Sequence, residues 1–363
     1  MDKINDLKEK LKKLSSIPGP SGHEELMVDF IMKEIKSLRL SPKVDNLGNV
    51  IVTIGKLNAK PSIMILAHMD EVGFVIRKIE DNGFIKFEKI GGIPEKVLAG
   101  SFLTIISNND DLVEGVVGVK SHHLTPVSER YDVLPIDKCY MDIGSRSKKD
   151  VLDKGIDVGC VAVYSKKFID NGPVVFTQAL DNRAGCLTLL ELLSDLKDRK
   201  IESQLSFVFS VQEEFNLRGV LPAARMLNPD LAIAVDAVIT GDTLDLDKTD
   251  VGLGKGPGVS LYSFHGRGTL GGTIPNKKIR KFFDDVSAKH NIPFQKSVIY
   301  GGLTDASFLQ LEKKGIPSIE VGYPIRYIHT PIECCNLQDI QELIKLLEFS
   351  INEIKLGIDF SFY

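Results

Sequence analysis

The sequence predicts an α/β fold: a mixed, mostly parallel sheet sandwiched by helices, interrupted by an inserted all-β, barrel-like domain. Three observations predict it. Apolar strand-like runs alternate with segments of helical periodicity at both ends of the chain, the pattern of a largely parallel sheet covered on two faces. Residues from about 72 to 165 break that rhythm with short β runs and frequent turns. Several of the strand-like runs end in a residue able to bind a metal ion.

The elements follow in order. In MDKINDLKEKLKKL, Ile4, Leu7, Leu11 and Leu14 recur at helical spacing with charges between them, which reads as an amphipathic helix and not as a signal peptide. Ser21 and Glu24 have capping-box spacing ahead of LMVDFIMKEIKSL. NVIVTIG and SIMILAH are strands, the second nearly all apolar and so central. FVIRKIE and FIKFEKI flank Asp81-Asn82-Gly83, a hairpin signal, and the only helix expected between about 72 and 165 is a short one near Ser147–Lys154. PVVFTQALD, LSFVFSVQEE, LAIAVDA, SVIYGG and PSIEVG are read as strands. Helices are expected at RAGCLTLLELLSDLK, near Val220–Leu227, over 276–290, over 304–314, and at the end, where Ile340, Leu343, Ile344, Leu347 and Ile351 share one face. The expected domains are 1–71 with 166–363, and the insertion 72–165.

Bulk properties exclude several classes. A net charge of −4 gives no reason to expect nucleic acid or an anionic membrane as partner, and no stretch is long and apolar enough to span a bilayer. The five cysteines are odd in number, with no CxxC, which points to reduced, buried thiols in a cytoplasmic protein. VGLGKGPG lacks the spacing of a phosphate loop. His122 and His123, read as adjacent strand positions, would point apart and are not expected to share an ion.

The ligand-type residues carry the chemistry. His68 and Asp70 follow SIMILA, Asp181 follows VVFTQAL, Glu213 and Glu214 follow LSFVFSVQ, Asp236 follows LAIAV, and His329 comes seven residues beyond PSIEVG. In open α/β sheets ligands bind beyond the carboxyl ends of the strands, so these residues gather at one edge. Two histidines and three carboxylates suit two divalent ions with one carboxylate bridging, and imidazole with carboxylate fits zinc, cobalt or manganese. Neighbouring side chains on extended backbone diverge, so one carboxylate of the Glu213-Glu214 pair can hold metal while the other handles a proton. Asp70, two residues past His68, is placed to accept the other ring N–H of that imidazole.

AHMDEVGF at 67–74, ALDNRAG at 179–185, QEE at 212–214, AVD at 234–236 and RYIHTPIE at 326–333, with GLGKGP at 252–257 and TDA at 304–306, resemble family forty-two of the metallopeptidases, which includes the glutamyl aminopeptidases and the TET aminopeptidases. The resemblance spans nearly the whole chain. It implies a phosphorylase/hydrolase-like fold of the zinc-peptidase type and an aminopeptidase acting on short peptides with two divalent ions per subunit, zinc or cobalt. By that similarity His68 and Asp236 complete one metal site, Glu214 and His329 the other, Asp181 bridges them, and Glu213 is the general base. It also implies a cis peptide bond at Asp181-Asn182, and a homo-oligomer built through the insertion, either a dimer or a twelve-subunit tetrahedron.

The chain departs from the usual family pattern at Phe215-Asn216, Leu303 and YSFHGRGTLGG, all near the expected substrate pocket. His265, Arg267, Thr304 and Asp305 are the expected substrate contacts, with Arg267 favouring acidic residues by charge. Two further readings stay open: a deacylase or carboxypeptidase on a related two-metal scaffold, and a non-catalytic assembly protein that keeps the fold. A glucanase role is disfavoured by the absence of Trp and of paired sugar-lining aromatics.

Overall fold

Parallel strands at the centre of a sheet must be apolar on both faces, and the strand Ser62–His68 is buried along its whole length. The computed structural model describes residues 2–246, 249–266 and 269–363. In it Ser62–His68 lies between two parallel neighbours, Gln204–Ser210 and Leu231–Ile239, and Ser318–Arg326 runs parallel on the far side of the latter. Antiparallel strands extend this group, Val50–Gly55 beside Gln204–Ser210 and Gly258–Phe264 beside Ser318–Arg326. The mixed sheet has twelve strands.

Alternation along the strands sorts side chains into two cores. Ile63, Ile65, Ala67, Ile233 and Val235 join the larger one. There the helices Asp2–Ser15, Leu180–Leu196 and Leu337–Glu353 pack on one another, and the latter two also touch the sheet. Met64, Leu66, Ala232 and Ala234 face the other way, against the shorter helices Val220–Leu227 and Ala306–Leu309. This second face carries the functional row. His68 continues the series Met64, Leu66, and Asp236 continues Ala232, Ala234.

Residues 73–164 supply the six strands of a closed barrel, Gly73–Ile79, Ile85–Ile90, Phe102–Ile106, Leu112–Val117, Met141–Asp142 and Val161–Tyr164. The barrel has its own core, in which Phe74 meets Phe87 and Tyr164 edge-on at ring separations of 5.2 and 5.5 Å. The first two strands form a hairpin at Asp81-Asn82-Gly83, where Gly83 takes a φ of 88°. Where the chain enters and leaves the barrel it is tied together: the Lys166 ammonium donates to both oxygens of Glu71 at 2.7 and 2.6 Å. Glu71 Oε1 also accepts from the Gly19 N–H and, at 3.3 Å, from fully buried Arg183.

Several local expectations need correction. The capping box does not form: the helix Glu25–Ser37 has no side-chain cap, and the Ser21 hydroxyl donates instead to Asp70 at 2.5 Å. The strand expected over PVVFTQALD is only Val174–Phe176, because the chain turns at Ala179 (φ 57°) into the helix that starts at Leu180. The helix expected over 304–314 is a single turn, Ala306–Leu309, and Lys313 (φ 53°) is already left-handed. His122 and His123 sit on a 3₁₀ turn and not on a strand, and both are exposed. All five cysteines are free and buried. Among the described residues no helix is long and apolar enough to cross a membrane.

The central strands set the stability of the sheet. Phe207, fully buried on Gln204–Ser210, should cost about 3–5 kcal/mol when replaced by Ala. Urea unfolding followed by circular dichroism checks this, and a loss under about 1 kcal/mol would contradict the packing described.

Candidate active site

Two neighbouring strands end at His68 and Ser210, which are in register, and the third, Leu231–Ile239, carries Asp236 three residues before its end. His68 Nε2 lies 3.0 Å from Asp181 Oδ1, 3.8 Å from Asp236 Oδ1 and 3.9 Å from Glu213 Oε2. His329 Nε2 lies 3.5 Å from the other oxygen of Asp181 and 3.1 Å from Glu214 Oε1. Asp181 therefore faces one imidazole with each of its oxygens. Glu213, Glu214, Asp236, His68 and His329 all line one cavity with it.

Each of these side chains is held by a local device. The strand Gln204–Ser210 ends before the paired glutamates, which sit on a turn entered through Gln212 (φ 54°) and not on extended backbone. The carboxylates still diverge, Glu213 toward His68 and Glu214 toward His329. The turn is fixed by Asp70, whose oxygens accept the N–H of Glu213 at 3.1 Å and of Glu214 at 3.0 Å, while His68 Nδ1 stands 3.4 Å away. Asp181 does not cap its helix. Its N–H donates to Glu333 Oε2 at 3.1 Å, and the Asp181-Asn182 bond is cis. The Asn182 amide donates to the Val235 carbonyl at 2.8 Å, beside Asp236. Glu333 also accepts the His329 N–H at 2.7 Å, so one buried carboxylate holds the backbone of both Asp181 and His329. The His329 Nδ1 proton goes to the Gly92 carbonyl at 3.0 Å.

Charge is out of balance here. Four buried or nearly buried carboxylates face two imidazoles. Burial drives Glu213, Glu214 and Asp236 above the ordinary carboxyl range, against the pull of the histidines. Burial also opposes ionisation of Asp181, yet hydrogen bonds from His329 and His68 win and hold it below its usual value. Burial works against charge on both histidines, but Glu213 and Asp181 raise His68 and Glu214 and Asp181 raise His329. With the His329 Nδ1 proton given to Gly92, the Nε2 lone pair faces two carboxylate oxygens. That contact is repulsive unless a proton or a cation lies between them. Glu214 Oε1 and His68 Nδ1 are buried without a hydrogen-bond partner. Among the described residues, His68 with Asp181 and Glu214, and His68 with Glu213 and Asp236, are the groupings close enough for one ion.

The cavity measures about 590 Å³. Thr304 and exposed His265 line it. Asp305 does not line it: it is buried behind, accepts from the Ser210 hydroxyl at 2.7 Å, and is pushed by burial up to about 7. Arg267 lies outside the described residues. Leu303 and Asn216 are on the cavity wall, and Phe215 is half exposed with the Arg218 guanidinium over its ring. Sequence reasoning singled out neither Glu333 nor Gly92 nor Glu320. The RYIHTPIE motif contains Glu333, but nothing in its spacing reveals a carboxylate turned back onto two backbone N–H groups.

Comparison with known proteins gives a consistent result. The family model of the M42 glutamyl aminopeptidases matches residues 48–346. The lysyl aminopeptidase of Pyrococcus furiosus is 30% identical over 352 residues, covering 96% of this chain and 97% of that protein. The glutamyl aminopeptidase of Lactococcus lactis subsp. cremoris is 30% identical over 359 residues, covering 97% and 98%. The solved TET1 peptidase of Pyrococcus horikoshii, described as able to assemble into a tetrahedron or a large octahedral shell, aligns with a TM-score of 0.86 at 34% identity, covering 96% of this chain and 100% of that one.

Asp70 offers a test of the scaffold. Asp70→Asn turns an acceptor of two backbone N–H groups into a partial donor and should cost about 1–3 kcal/mol at neutral pH. Burial opposes ionisation of Asp70, but His68 and Ser21 outweigh it and lower its pKa. Its contribution is therefore present above the unfolded value near 3.9 and is lost as pH falls through the lower folded value. Denaturant unfolding of both proteins across pH should show their difference shrinking in acid; a difference that grows in acid would refute the role.

Proposed function

The chain belongs to the M42 glutamyl aminopeptidase family, and from that premise we propose that it removes the amino-terminal residue of short peptides with two divalent cations and Glu213 as general base. The observation that carries the reading is Asp181, with one oxygen 3.0 Å from His68 and the other 3.5 Å from His329. Two donors each about 2.0–2.1 Å from one tetrahedral ion lie about 3.3 Å apart. The His68–Asp181, His329–Asp181 and His329–Glu214 separations of 3.0, 3.5 and 3.1 Å fit that, and the buried excess of negative charge calls for cations. His68 also lies near enough to Glu214 and to Glu213 to share an ion with either, and it is the family resemblance that assigns Glu214 to the His329 ion. In this reading His68 and Asp236 would hold one ion, His329 and Glu214 the other, and Asp181 would serve both. The nitrogen and oxygen donors suit zinc or cobalt.

The ions would supply Lewis acidity toward water and the scissile carbonyl. The rest falls to the protein. Asp70 fixes the turn that separates Glu213 from Glu214, which leaves Glu213 facing the cavity and free of the second ion. Its carboxylate takes the proton of the attacking water and passes it to the nitrogen of the leaving amine as the C–N bond breaks. Apolar walls at Ile239, Leu303 and Phe308 keep other water away. Burial holds Glu213 above the ordinary carboxyl range, the direction that suits a base which must later act as an acid.

Two coarser expectations join the proposal. The free, buried cysteines suit the reducing cytoplasm. Leu124, Val127, Tyr131 and Val133 are exposed in the barrel segment, an apolar surface suited to covering by a second subunit. Light scattering should give a multiple of the 40.1 kDa chain mass; a monomer at micromolar concentration would remove the assembly role.

The decisive experiment is to load the protein with zinc or cobalt and assay aminoacyl anilides against the same compounds with a blocked amine. Free-amine substrates should be cleaved. Glu213→Gln should keep about two ions per chain by metal analysis while kcat falls roughly 10²–10⁴-fold. Cleavage of blocked substrates alone would favour the deacylase reading, and clearly under one ion per chain the non-catalytic one.

A further inference from the structure

The lysyl and glutamyl names of the two relatives point to side chains of opposite charge, so the preferred residue must be read from this chain's own cavity. Register locates its floor. Glu320 pairs with Ala234 on one side and Ser260 on the other, two residues below the pair Asp236 and Gly322. Residues two apart on a strand point to the same face about 7 Å apart. Glu320 therefore projects on the same face as Asp236, deeper in the sheet and one strand away from it. It lines the cavity that holds the candidate ligands, yet is only 5% exposed.

Among the described residues no cation compensates its charge. Oε2 accepts from the Thr304 hydroxyl at 3.1 Å. Among the described residues no other hydrogen bond reaches this carboxylate, and no lysine, arginine or histidine pairs with it. Ser263, 4% exposed, lines the same cavity with its hydroxyl oxygen unpartnered. Ile239, Ile299 and Phe308 give the same cavity apolar lining. Burial, aided by the Asp181 charge and only partly offset by Thr304, pushes Glu320 up to about 7. That is the cost of a carboxylate waiting for a donor. An unbranched apolar stem ending in an ammonium meets each of these features, the stem along the wall and the cation at the floor.

We propose that Glu320 is the specificity-determining residue of this cavity and selects peptides whose first residue ends in a cation, lysine foremost. The inference rests on the aminopeptidase reading above and goes beyond it in naming the substrate class. A buried polar group that a wrong ligand leaves unpaired rejects that ligand strongly, whereas an extra methylene in an apolar pocket does little. Neutral side chains of the same length should therefore bind, but worse.

The experiment has two arms. In the first, metal-loaded protein is assayed on lysyl, leucyl and glutamyl p-nitroanilides. Lysyl should lead leucyl by about 10-fold or more in kcat/KM, Glu320→Gln should lower the lysyl-to-leucyl ratio by about 10-fold, and Glu320→Leu should invert it. The inversion is a gain that a misfolded protein cannot show. In the second arm, L-lysinamide and L-norleucinamide, which differ by the terminal ammonium, are titrated calorimetrically into zinc-loaded protein. Wild type should favour lysinamide and Glu320→Gln should not. A wild-type lead for leucyl or glutamyl substrates, or an equal loss on all three in Glu320→Gln, would overturn the proposal. If no anilide is cleaved by wild type, the aminopeptidase reading fails, and equal binding of the two amides would then overturn the pocket assignment as well.

Discussion

The structure depends on one shared carboxylate at the edge of a parallel sheet. Asp181 puts one oxygen toward each of two imidazoles that arrive from opposite ends of the sequence, His68 and His329. Glu213, Glu214 and Asp236 crowd the same space, and burial disfavours the charged form of each. Such a cluster does not hold itself together. It has to be fixed by the surrounding backbone, because its own charges push it apart unless cations occupy it.

The fixing is done by a second set of acids that take backbone hydrogen bonds. Asp70 accepts from Glu213 and Glu214, and Glu333 accepts from Asp181 and His329. The two acids work in the same way. Each uses both carboxylate oxygens to set the orientation of two cavity residues, and so converts a distance between loops into a fixed geometry. Tyr323 adds a third tie, its hydroxyl 2.7 Å from the Leu180 carbonyl and 3.0 Å from Asn182 Oδ1. Side chains that carry chemistry are thereby relieved of supporting the fold, which leaves their remaining oxygens facing the cavity.

Much of this was legible in the sequence because it followed from periodicity. The run SIMILAH is apolar at nearly every position, so its central, parallel placement and the arrival of His68 at a carboxyl edge come from burial alone. The divergence of Glu213 and Glu214 was anticipated for a reason that does not apply, since the pair sits on a turn and Asp70 directs it. Ser21 illustrates the limit of local motifs: its spacing to Glu24 suits a helix cap, but a buried carboxylate 49 residues away is the stronger acceptor. Glu320 was invisible for a related cause. In PSIEVG it looks like one polar residue on a strand, and only cross-strand register places it under the cavity. Contacts set by tertiary register leave no mark at short sequence range.

The position of Gly92 adds a last step. It belongs to the segment that links strands of the barrel, and its carbonyl fixes the ring of His329 by accepting the Nδ1 proton. A Cβ at this position would stand 3.3 Å from that same nitrogen, so a side chain here would crowd the ring that the carbonyl holds. The tautomer of one candidate ligand is thus set by the barrel segment and not by the sheet that carries the others. Glu71 strengthens the same link from the other side, since its carboxylate holds Lys166 at the barrel exit and Arg183 next to the Asp181 turn. The barrel segment thus meets the site at His329 through Gly92, and the Glu71 carboxylate ties the barrel exit to the helix that carries Asp181.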